Sequence, residues 1–370
     1  MTRVLHVFGT MDIGGAELRT IELLRELGPR GVEFEFVALS GNAGALDAEI
    51  RSLGGAVHPL KLDLSFPLRF WRLLRRIRPD AIDSHVATFS GVLLFGAWLG
   101  GVDRRIAHFR SDGDGHPDTG RRRVQRGAMV QLIRWFATDI VGVSPSALTD
   151  GYRPDWRNDT RVRVIVNGIS PFTPEHGPGR LRALVGATDD AVLLCHVGRP
   201  SAEKNRVYTV RVLRALRDRG VDAYLALVGG TGPDSADVQA EVRSLDVEAF
   251  VHDLGSRRDA RILMSEADVM ILTSVREGLP GVVLESLSTG TPVVASALPG
   301  VEFIAASLRG IRVLGLDEPV SEWARAVQSS IADALVEGWR DRLRRDFDAS
   351  EFAQVRATRQ HLSLYRGGEE

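Results

Sequence analysis

The two glutamates that begin and end the segment EGLPGVVLE, Glu277 and Glu285, form the pattern with the most specific chemistry in the chain. Glu277 belongs to a Gly/Pro turn after an apolar strand, and Glu285 lies one turn into a predicted helix. An ionised carboxylate has two acceptor oxygens, so Glu285 can bind both hydroxyls of a ribose while Glu277 faces a reacting group. The helix start at Pro280, Gly281 and Val282 offers backbone N–H groups to a phosphate. A negative charge that stabilises a helix N-terminus would explain one of these glutamates, but not the whole arrangement.

A second pattern, VGRPSAEKN, follows an apolar strand predicted at Ala191–His196. Gly198, Arg199 and Lys204 therefore lie on the loop at the carboxyl end of a strand, where ligands bind in doubly wound sheets. A guanidinium can bind two phosphate oxygens at once, and an ammonium adds a mobile positive charge. Lys204 is one of only two lysines among 47 basic residues. The alternative interpretation is a pair of solvated surface cations.

A glycine-rich turn, GTMDIGGAE, connects the first predicted strand to the first predicted helix. It lacks the G-x-G-x-x-G spacing of dinucleotide-binding folds and the G-K-[ST] ending of a P-loop, so it indicates neither a dehydrogenase nor a P-loop NTPase. Gly14 and Gly15 at the helix start would still let the backbone approach an anion closely. A tight turn without a ligand is an equally weighted alternative.

Short apolar runs alternate with helical patterns along almost the whole chain, which predicts parallel sheets covered by helices on both faces. A Pro/Gly-dense segment at 171–179 indicates a linker. We therefore expect two Rossmann-like, doubly wound α/β domains, residues 1–172 and 180–349. The predicted strands are Val4–Phe8, Phe34–Leu39, Ala81–Val86, Arg105–Phe109, Ile140–Val143, Val162–Val166, Ala191–Val197, Ala223–Val228, Phe250–His252, Val269–Leu272, Pro292–Ala295 and Ile311–Leu314.

The composition of the 370 residues limits the classes of protein that remain. With 44% hydrophobic residues and a net charge of −1, the chain is neither disordered nor basic enough for general nucleic-acid binding. The single cysteine, Cys195, excludes a disulfide framework and a zinc site of several thiolates. The N-terminal apolar stretch is too short for a signal peptide, and the longest apolar run, Gly91–Gly101, is about half a membrane span. We expect a cytoplasmic location.

Together, these motifs resemble glycosyltransferase family four, which has the GT-B fold. The resemblance extends over nearly the whole chain and is carried by DIGGAE near the start, DSHVATFSG at 83–91, RIAHFRS at 105–111, VIVNGIS at 164–170, VGRPSAEKN and EGLPGVVLE. The middle segments are similar to the branch that builds bacterial exopolysaccharides and capsules. The family implies a nucleotide-sugar donor held mainly by the second domain and an acceptor site mainly in the first. It also implies a last helix, within 350–370, that packs back onto the first domain.

Position by position, the resemblance implies a role for each residue of these motifs. Arg199 and Lys204 would hold the donor diphosphate, and Glu285 would hold the ribose. Glu277 would contact the donor sugar. Gly15 would approach the phosphate from the opposite domain.

The sequence departs from the family pattern in two places. Gly281 stands where asparagine is common after the proline, which matters little if backbone amides bind the phosphate. Many members carry a histidine at the end of the strand that corresponds to 105–110. Here Arg110 occupies that place, and His108 lies two residues earlier on the same strand face. Either side chain could reach the donor, and a buried, hydrogen-bonded His108 is the alternative.

The predicted reaction moves a sugar from a nucleoside-diphosphate sugar to a hydroxyl of a saccharide or lipid-linked acceptor. Cationic groups would stabilise the negative charge on the leaving diphosphate, with no metal or other cofactor. No enzymic nucleophile is evident, so the leaving phosphate is expected to take the acceptor's proton, with retention of configuration as in relatives. The alternatives are a nucleotide-sugar epimerase of the same fold, a glycosidase, and a non-catalytic nucleotide-sugar-binding partner.

The segment Asp112-Gly113-Asp114 resembles a DxD metal motif. It also fits the start of a calcium loop, but the remaining ligands are missing at their required spacing. We therefore favour a polar loop over the acceptor site to a metal site.

The segment 66–78 has Phe70, Trp71, Leu74 and Ile77 on one side and arginines around them. This pattern fits a sheet-covering helix with a solvated face, which is the favoured interpretation. It also fits a helix that contacts the inner face of the cell membrane peripherally.

Overall fold

The structure is a computed structural model, and it describes residues 1–111, 119–173 and 179–368. The chain divides into two compact units, Met1–Gly168 with Gln354–Glu370, and Ile169–Ala353. The sequence placed the division near 172 and 180. In the structure Ile169 belongs to the second unit, because its N–H donates to the Phe352 carbonyl at 2.9 Å and it forms a bridge with Ala353.

The first unit is built on a parallel sheet with strands β1 (Thr2–Phe8), β2 (Val32–Ala38), β3 (Ala56–Pro59), β4 (Ala81–Ser84), β5 (Arg104–Phe109), β6 (Asp139–Gly142) and β7 (Val162–Val164). Their order across the sheet is β3-β2-β1-β4-β5-β6-β7. The chain moves outward from β1 to β3 and then returns to place β4 on the other side of β1. The carboxyl ends of β1 and β4 therefore form the topological switch point, where ligands bind in such sheets.

The second unit repeats this plan with strands β8 (Val192–Val197), β9 (Ala223–Val228), β10 (Val251–Asp253), β11 (Val269–Leu272), β12 (Val293–Ser296) and β13 (Ile311–Leu314). Their order is β10-β9-β8-β11-β12-β13, and each pairing is parallel. The switch point of this unit lies between β8 and β11.

The helices cover both faces of the two sheets. In chain order they are α1 (Gly15–Leu27), α2 (Asp47–Ser52), α3 (Phe66–Ile77), α4 (Ser90–Leu99), α5 (Gly120–Phe136), α6 (Pro145–Gly151), α7 (Arg180–Val185), α8 (Arg206–Asp218), α9 (Ser235–Ser244), α10 (Ala260–Glu266), α11 (Gly281–Ser288), α12 (Pro299–Ser307), α13 (Val320–Ala334), α14 (Trp339–Ala349) and α15 (Gln354–Arg366). Among the described helices, none is long and apolar enough to cross a bilayer.

Each unit has its own apolar core. In the first unit, Leu24 and Phe34 pack with Leu364 and Tyr365 of α15, so the last helix contributes to the core of the unit formed by the start of the chain. In the second unit, Trp323 of α13 is fully buried in the core against one face of the sheet. Burial of both sheet faces explains why the central strands are continuous apolar runs.

The predicted fold class, two doubly wound α/β domains, is confirmed. All the predicted strands exist, three of them with the predicted ends and the others with ends that differ by no more than two residues. The sequence missed β3, which lies at the edge of its sheet and is only half-buried. It is four residues long and ends in Pro59, so it has neither the apolar run nor the composition of an inner strand.

Candidate functional site

The switch point of the second unit brings together the two strongest sequence motifs. The loop after β8 contains Arg199 and Lys204, and the turn after β11 contains Glu277. Lys204 Nζ lies 2.5 Å from Glu277 Oε1, although the two residues are 73 positions apart. The N–H of Val275 also donates to the Glu203 carbonyl at 2.8 Å, which ties the turn to the loop. The motifs are therefore two sides of one site.

Glu277 is held in a polar, mostly buried setting. Ser274 Oγ donates to the same Oε1 atom at 2.7 Å, and the Ser274 carbonyl accepts from Ser296 Oγ on β12. The side chains of Lys204 and Glu277 are 20% and 14% exposed. Partial burial strengthens their attraction relative to a fully solvated pair, while part of the Lys204 side chain still faces solvent.

Two glycines allow the backbones of this site to approach one another. A Cβ on Gly229 would lie 1.8 Å from the Gly198 carbonyl oxygen, and Gly229 has a φ of +155°. A Cβ on Gly300, in α12, would lie 1.7 Å from the Gly278 carbonyl oxygen in the turn. Any side chain at either position would displace a loop of the site. Arg199, beside Gly198, is exposed to solvent.

The helix α11 begins directly after the turn. Its N-cap residue is Pro280, in an extended conformation, and no side chain caps the helix. A Cβ built on Gly281 would have open space within 4 Å, and Val282 is partly exposed, so the first N–H groups are accessible to an anion. Glu285, one turn later, is also partly exposed. The predicted phosphate and ribose contacts thus lie on one short helix next to Glu277.

A buried ion pair that the sequence did not reveal holds the neighbouring loop. Arg206, the first residue of α8, is 1% exposed, and its Nε and Nη2 donate to the two carboxylate oxygens of Asp234 at 2.8 and 2.7 Å. Its Nη1 donates to the Gly230 carbonyl at 3.3 Å. Removing either partner would leave an uncompensated buried charge. This pair fixes the loop after β9 against the helix that follows Lys204.

The switch point of the first unit carries the glycine turn and a cluster of buried polar side chains. Gly14 is the extended N-cap of α1, and a Cβ on Gly15 would meet no atom within 4 Å. The Glu17 carboxylate occupies the space beside Gly14, so of the two glycines only Gly15 is open to a close backbone approach. The predicted phosphate contact of Gly14 and Gly15 stays a prediction. The sequence analysis missed most of the cluster, whose members are His6, Asp83, His85, His108, His361 and Tyr365.

Hydrogen bonds to Asp83 organise this cluster. His108 Nδ1 lies 3.2 Å from Asp83 Oδ1, and the Tyr365 hydroxyl donates to Oδ2 at 3.0 Å. The surrounding histidines keep the pKa of Asp83 well below its usual value despite the burial of the carboxyl. Burial lowers the pKa of His6 and of His108 to about 4, so both are neutral near pH 7. The carboxylate is thus the negative member of a mostly neutral network.

Arg110 connects this network to the protein surface. Its Nε donates to His85 Nδ1 at 3.2 Å, and its Nη1 donates to Asn167 Oδ1 at 2.9 Å. Arg110 lines a pocket of about 300 Å³, whereas His108 is 1% exposed and is not among the described residues that line it. The sequence left open which of the two side chains reaches a ligand, and the structure places Arg110 at a surface and His108 in the interior.

One ring nitrogen of His6, one of His85 and one carboxylate oxygen of Asp83 all lie within 4.8 Å of one another, a spacing that would allow them to bind a metal ion. However, His6 Nδ1 and His85 Nε2 are hydrogen-bonded to each other at 3.1 Å, and the Arg110 guanidinium occupies the other nitrogen of His85. A divalent cation would have to break that bond beside a fixed positive charge. The donor set fits a hydrogen-bond network better than a metal. Asp112, Gly113 and Asp114 lie outside the described residues.

The helix α3 corresponds to the segment 66–78 and packs its apolar face inward. Phe70, Leu74 and Ile77 are buried, as expected of a sheet-covering helix. Trp71, predicted on the same side, is instead 44% exposed, and Leu68 is 51% exposed. The exposed side of α3 therefore carries two apolar side chains among arginines.

The neighbouring helix α4 also exposes apolar side chains. A Cβ on Gly96 would lie 3.3 Å from the Phe70 ring, so α4 packs closely against α3. Trp98 and Leu99 are more than half exposed, and Trp98 packs against Phe136 of α5 at 5.2 Å between ring centroids. We call Leu68, Trp71, Trp98 and Leu99 the apolar surface of α3 and α4.

Comparison with known proteins identifies the two units separately. The model for Glycosyltransferase Family 4 matches residues 13–171, and the model for Glycosyl transferases group 1 matches residues 191–333. EpsF of Bacillus subtilis (strain 168) is 29% identical over 95% of this chain and 92% of its own length. The capsular polysaccharide biosynthesis glycosyltransferase CapH of Staphylococcus aureus is 26% identical over 80% of this chain and 81% of its own.

Solved structures share the architecture of the chain. Anabaena HepE, in complex with UDP and glucose, has a TM-score of 0.81 and 19% identity, and the match covers 99% of this chain and 100% of that one. WaaG, a glycosyltransferase involved in lipopolysaccharide biosynthesis, has a TM-score of 0.73 and 15% identity over 99% of this chain and 100% of its own. Both family models and both relatives are described as glycosyltransferases, and the solved structures share the fold of the chain. The first unit matches the model for Glycosyltransferase Family 4 and the second matches the model for Glycosyl transferases group 1, and the chain is a glycosyltransferase of the GT-B fold.

Proposed function

We propose that the sugar donor is a nucleoside-diphosphate sugar bound at the switch point of the second unit. The observation that carries this proposal is the contact between Lys204 and Glu277, which places a cation and a carboxylate from two motifs at one strand edge. Solved structures of HepE contain UDP or UDP-glucose. They support uridine nucleotides as the first donor class to test.

The proposed chemistry depends on charge at the leaving group. The bond between sugar C1 and the diphosphate breaks, an acceptor oxygen bonds to C1, and the diphosphate gains negative charge. Lys204, Arg199 and the first N–H groups of α11 would stabilise that charge without a metal. An ammonium has three donors, so Lys204 can keep its contact with Glu277 and still bind phosphate oxygens. Glu285 would bind the ribose hydroxyls.

Retention of configuration is part of the same proposal. Glu277 Oε1 already accepts from Lys204 and Ser274, which makes this carboxylate a poor nucleophile. The leaving phosphate would instead accept the proton of the attacking hydroxyl. NMR of the product anomer tests this step, since an inverted product would reject it.

The proposed acceptor is a saccharide or a lipid-linked precursor of a bacterial exopolysaccharide or capsule. The names of the relatives support this choice, because CapH is a capsular polysaccharide biosynthesis glycosyltransferase and LpsE of Rhizobium meliloti is a lipopolysaccharide core biosynthesis glycosyltransferase. The acceptor would bind mainly to the first unit.

The experiment that tests the donor is a screen of nucleotide sugars in the presence of EDTA, with nucleotide release as the readout. Release from one donor, lost in Glu285→Ala and kept in Glu302→Ala, is the expected result. Glu302 is a matched control, because it is an exposed glutamate in the first turn of α12. Binding of a donor without release under any acceptor would favour the non-catalytic partner, and an epimerised donor sugar would favour the epimerase. Failure of every nucleotide sugar to bind would refute the donor assignment.

We also propose a cytoplasmic enzyme that touches the inner face of the membrane through the apolar surface of α3 and α4. Arg72, Arg75 and Arg76 of α3 are exposed beside this surface, which suits anionic lipid headgroups. A reducing compartment is consistent with Cys195, which is free and buried.

A further inference from the structure

A row of hydrogen-bonded side chains lies buried beneath the loop that carries Lys204. His196 lies on β8, Thr209 lies on α8, and Thr273 directly follows β11. All three residues are fully buried. His196 Nδ1 lies 3.1 Å from Thr209 Oγ1, which in turn lies 2.7 Å from Thr273 Oγ1. The row therefore joins the two strands of the switch point to the helix that follows Lys204.

This row ends on the backbone of the loop. Thr273 Oγ1 donates to the Asn205 carbonyl at 2.9 Å, and the Lys204 carbonyl lies 3.4 Å from the same hydroxyl oxygen. Asn205 has a φ of +49°, in the left-handed region that is uncommon for a residue with a side chain. The hydrogen bond to its carbonyl helps to hold this conformation, which sets the direction in which the chain leaves Lys204.

The last acceptor of the row decides the direction of every hydrogen bond in it. A carbonyl oxygen only accepts, so the Thr273 hydroxyl proton points to the loop. A hydroxyl has a single proton, so Thr273 accepts from Thr209, and Thr209 accepts from the Nδ1–H group of His196. Burial lowers the pKa of His196 to about 3, so its ring is neutral near pH 7 and its proton lies on Nδ1. Each hydroxyl thus has one defined orientation.

Two consecutive residues after β11 hold the two members of the ion pair at the switch point. Thr273 contacts the carbonyls of Lys204 and Asn205. Ser274 Oγ donates to Glu277 Oε1 at 2.7 Å, and the Lys204 ammonium meets the same Oε1 atom. A shift of the backbone that Thr273 holds would therefore move the ammonium relative to a carboxylate that stays in place.

We propose that Thr273 is a positioning residue of the donor site, which holds the Lys204 ammonium where the leaving diphosphate gains charge. The inference rests on the proposed function, and it identifies a residue that acts through Lys204 rather than by contact with the substrate. The lysine side chain is a flexible stem, so the position of its ammonium depends on a fixed backbone. Stabilisation of a developing charge requires donors that are in place before the reaction.

The first measurement compares the kinetics of two variants of the full-length chain. Thr273→Val keeps nearly the same side-chain volume and removes the hydroxyl. It should lower kcat roughly tenfold to hundredfold, because a misplacement of about 1 Å can cost 10² in rate. Donor KM should change less, since the lost interaction acts mainly on the charge of the transition state. Thr273→Ser keeps the hydroxyl and should restore most of the parental kcat.

Thr291→Val is the matched control. Thr291 is also fully buried, and its Oγ1 donates to the Met264 carbonyl at 2.8 Å. It precedes β12 and so lies at the amino edge of the sheet, whereas Thr273 lies at the carboxyl edge. Thr291→Val should lower the thermal midpoint about as much as Thr273→Val does, but it should keep the parental kcat. A general loss of stability would affect both variants alike.

A second measurement observes Lys204 directly and needs no turnover. Reductive methylation with isotope-labelled formaldehyde marks Lys61 and Lys204, the two lysines of the chain, and NMR detects their dimethylamino groups. The Lys204 signal should shift in Thr273→Val and stay near its parental position in Thr273→Ser and Thr291→Val. The Lys61 signal is the internal reference. Thr209→Val breaks the row one bond earlier and should shift the Lys204 signal by a smaller amount.

Four results would overturn the inference: a parental kcat in Thr273→Val, an equal loss of kcat in Thr291→Val, no recovery in Thr273→Ser, or an unchanged Lys204 signal in Thr273→Val. If Thr273→Val does not fold, an unchanged Lys204 signal in Thr209→Val overturns the inference in its place.

Failure of the proposed function would be visible separately, as an absence of nucleotide-sugar binding and turnover in the parent protein. The NMR measurement requires no donor. A shifted Lys204 signal in Thr273→Val would then still support the positioning of Lys204 by Thr273, and an unshifted signal would overturn it.

Discussion

Lys204 is the residue on which the proposed donor chemistry depends most directly. Its ammonium lies at the switch point, held 2.5 Å from Glu277. We expect Lys204→Ala to lower kcat by a factor of about 10² to 10³, because loss of one preorganised donor to a developing anion typically costs that much. Initial rates of nucleotide release, at saturating donor and acceptor, measure this effect.

The second lysine of the chain provides the control. Lys61 is exposed in the first unit, so Lys61→Ala should keep the parental rate. Reductive methylation of the parent protein adds a readout that does not depend on turnover. A bound nucleotide sugar should protect Lys204 and leave Lys61 reactive. A normal rate in Lys204→Ala, or equal labelling of both lysines with donor present, would contradict the assignment.

At the scale of elements, α12 supports the turn that carries Glu277. A Cβ on Gly300 would lie 1.7 Å from the Gly278 carbonyl oxygen, so Gly300→Ala must push the turn away from the helix. A displacement of about 1 Å in a positioning element can cost roughly 10² in rate, and overpacking costs about 1–3 kcal/mol in the free energy of unfolding. We expect Gly300→Ala to lower kcat/KM by roughly 10², measured with the donor identified by the screen.

Ala306→Gly separates the positional effect from a loss of stability. Ala306 is exposed near the end of the same helix, and its replacement by glycine should cost about 1 kcal/mol in helix propensity without touching the turn. Ala306→Gly should lower the free energy of unfolding about as much as Gly300→Ala does, but it should keep the parental kcat/KM. If Gly300→Ala also keeps the parental rate, α12 does not position Glu277.

The apolar surface of α3 and α4 makes a prediction about membranes. Reversal of charge at Arg72, Arg75 and Arg76 should reduce co-sedimentation with anionic vesicles at least tenfold, since each basic residue near such a surface contributes about 1 kcal/mol. Arg243, Arg342 and Arg345 are exposed on the second unit. Reversal of their charges changes the net charge by the same amount and should have little effect on co-sedimentation. Equal binding by both triple variants would reject α3 as the membrane contact.

At the scale of the whole molecule, buried histidines make the first unit the acid-sensitive one. Burial lowers the pKa of His6 and His108 to about 4, and of His361 to about 3. It also lowers the pKa of His85. In the second unit, burial lowers the pKa of His196 to about 3. Unfolded histidines titrate near 6.5, so below that pH the unfolded chain binds protons that the folded chain does not.

Stability should therefore fall as the pH falls from 6.5 towards 4, by about 1 kcal/mol for each such histidine in the first pH unit. Urea titrations between pH 7.5 and 5 measure the loss, and hydrogen exchange shows which unit opens. The first unit should lose protection first. His361→Gln removes one of these groups and should reduce the pH dependence. A flat profile, or earlier opening of the second unit, would contradict the prediction.

The sequence by itself determined the two-domain α/β architecture and the motifs at the strand ends. Parallel strands that are buried on both faces must be continuous apolar runs, and these runs can be identified without knowledge of their neighbours. The loops that follow them carry the candidate donor residues, so the position of Lys204 after one strand and Glu277 after another could be predicted. The half-buried edge strand β3 gave no such signal.

The tertiary structure alone decided which of these side chains meet. The order of the strands puts β8 beside β11 and thereby joins Lys204 to Glu277. It also places β4 between β1 and β5, with His6 directly opposite Asp83, and α15 then brings Tyr365 to the same carboxylate. Contacts between residues so far apart in the chain depend on strand order and register, which local patterns of polarity do not encode. For this reason the motifs could be identified from the sequence, whereas the buried network around Asp83 that contacts Arg110 could not.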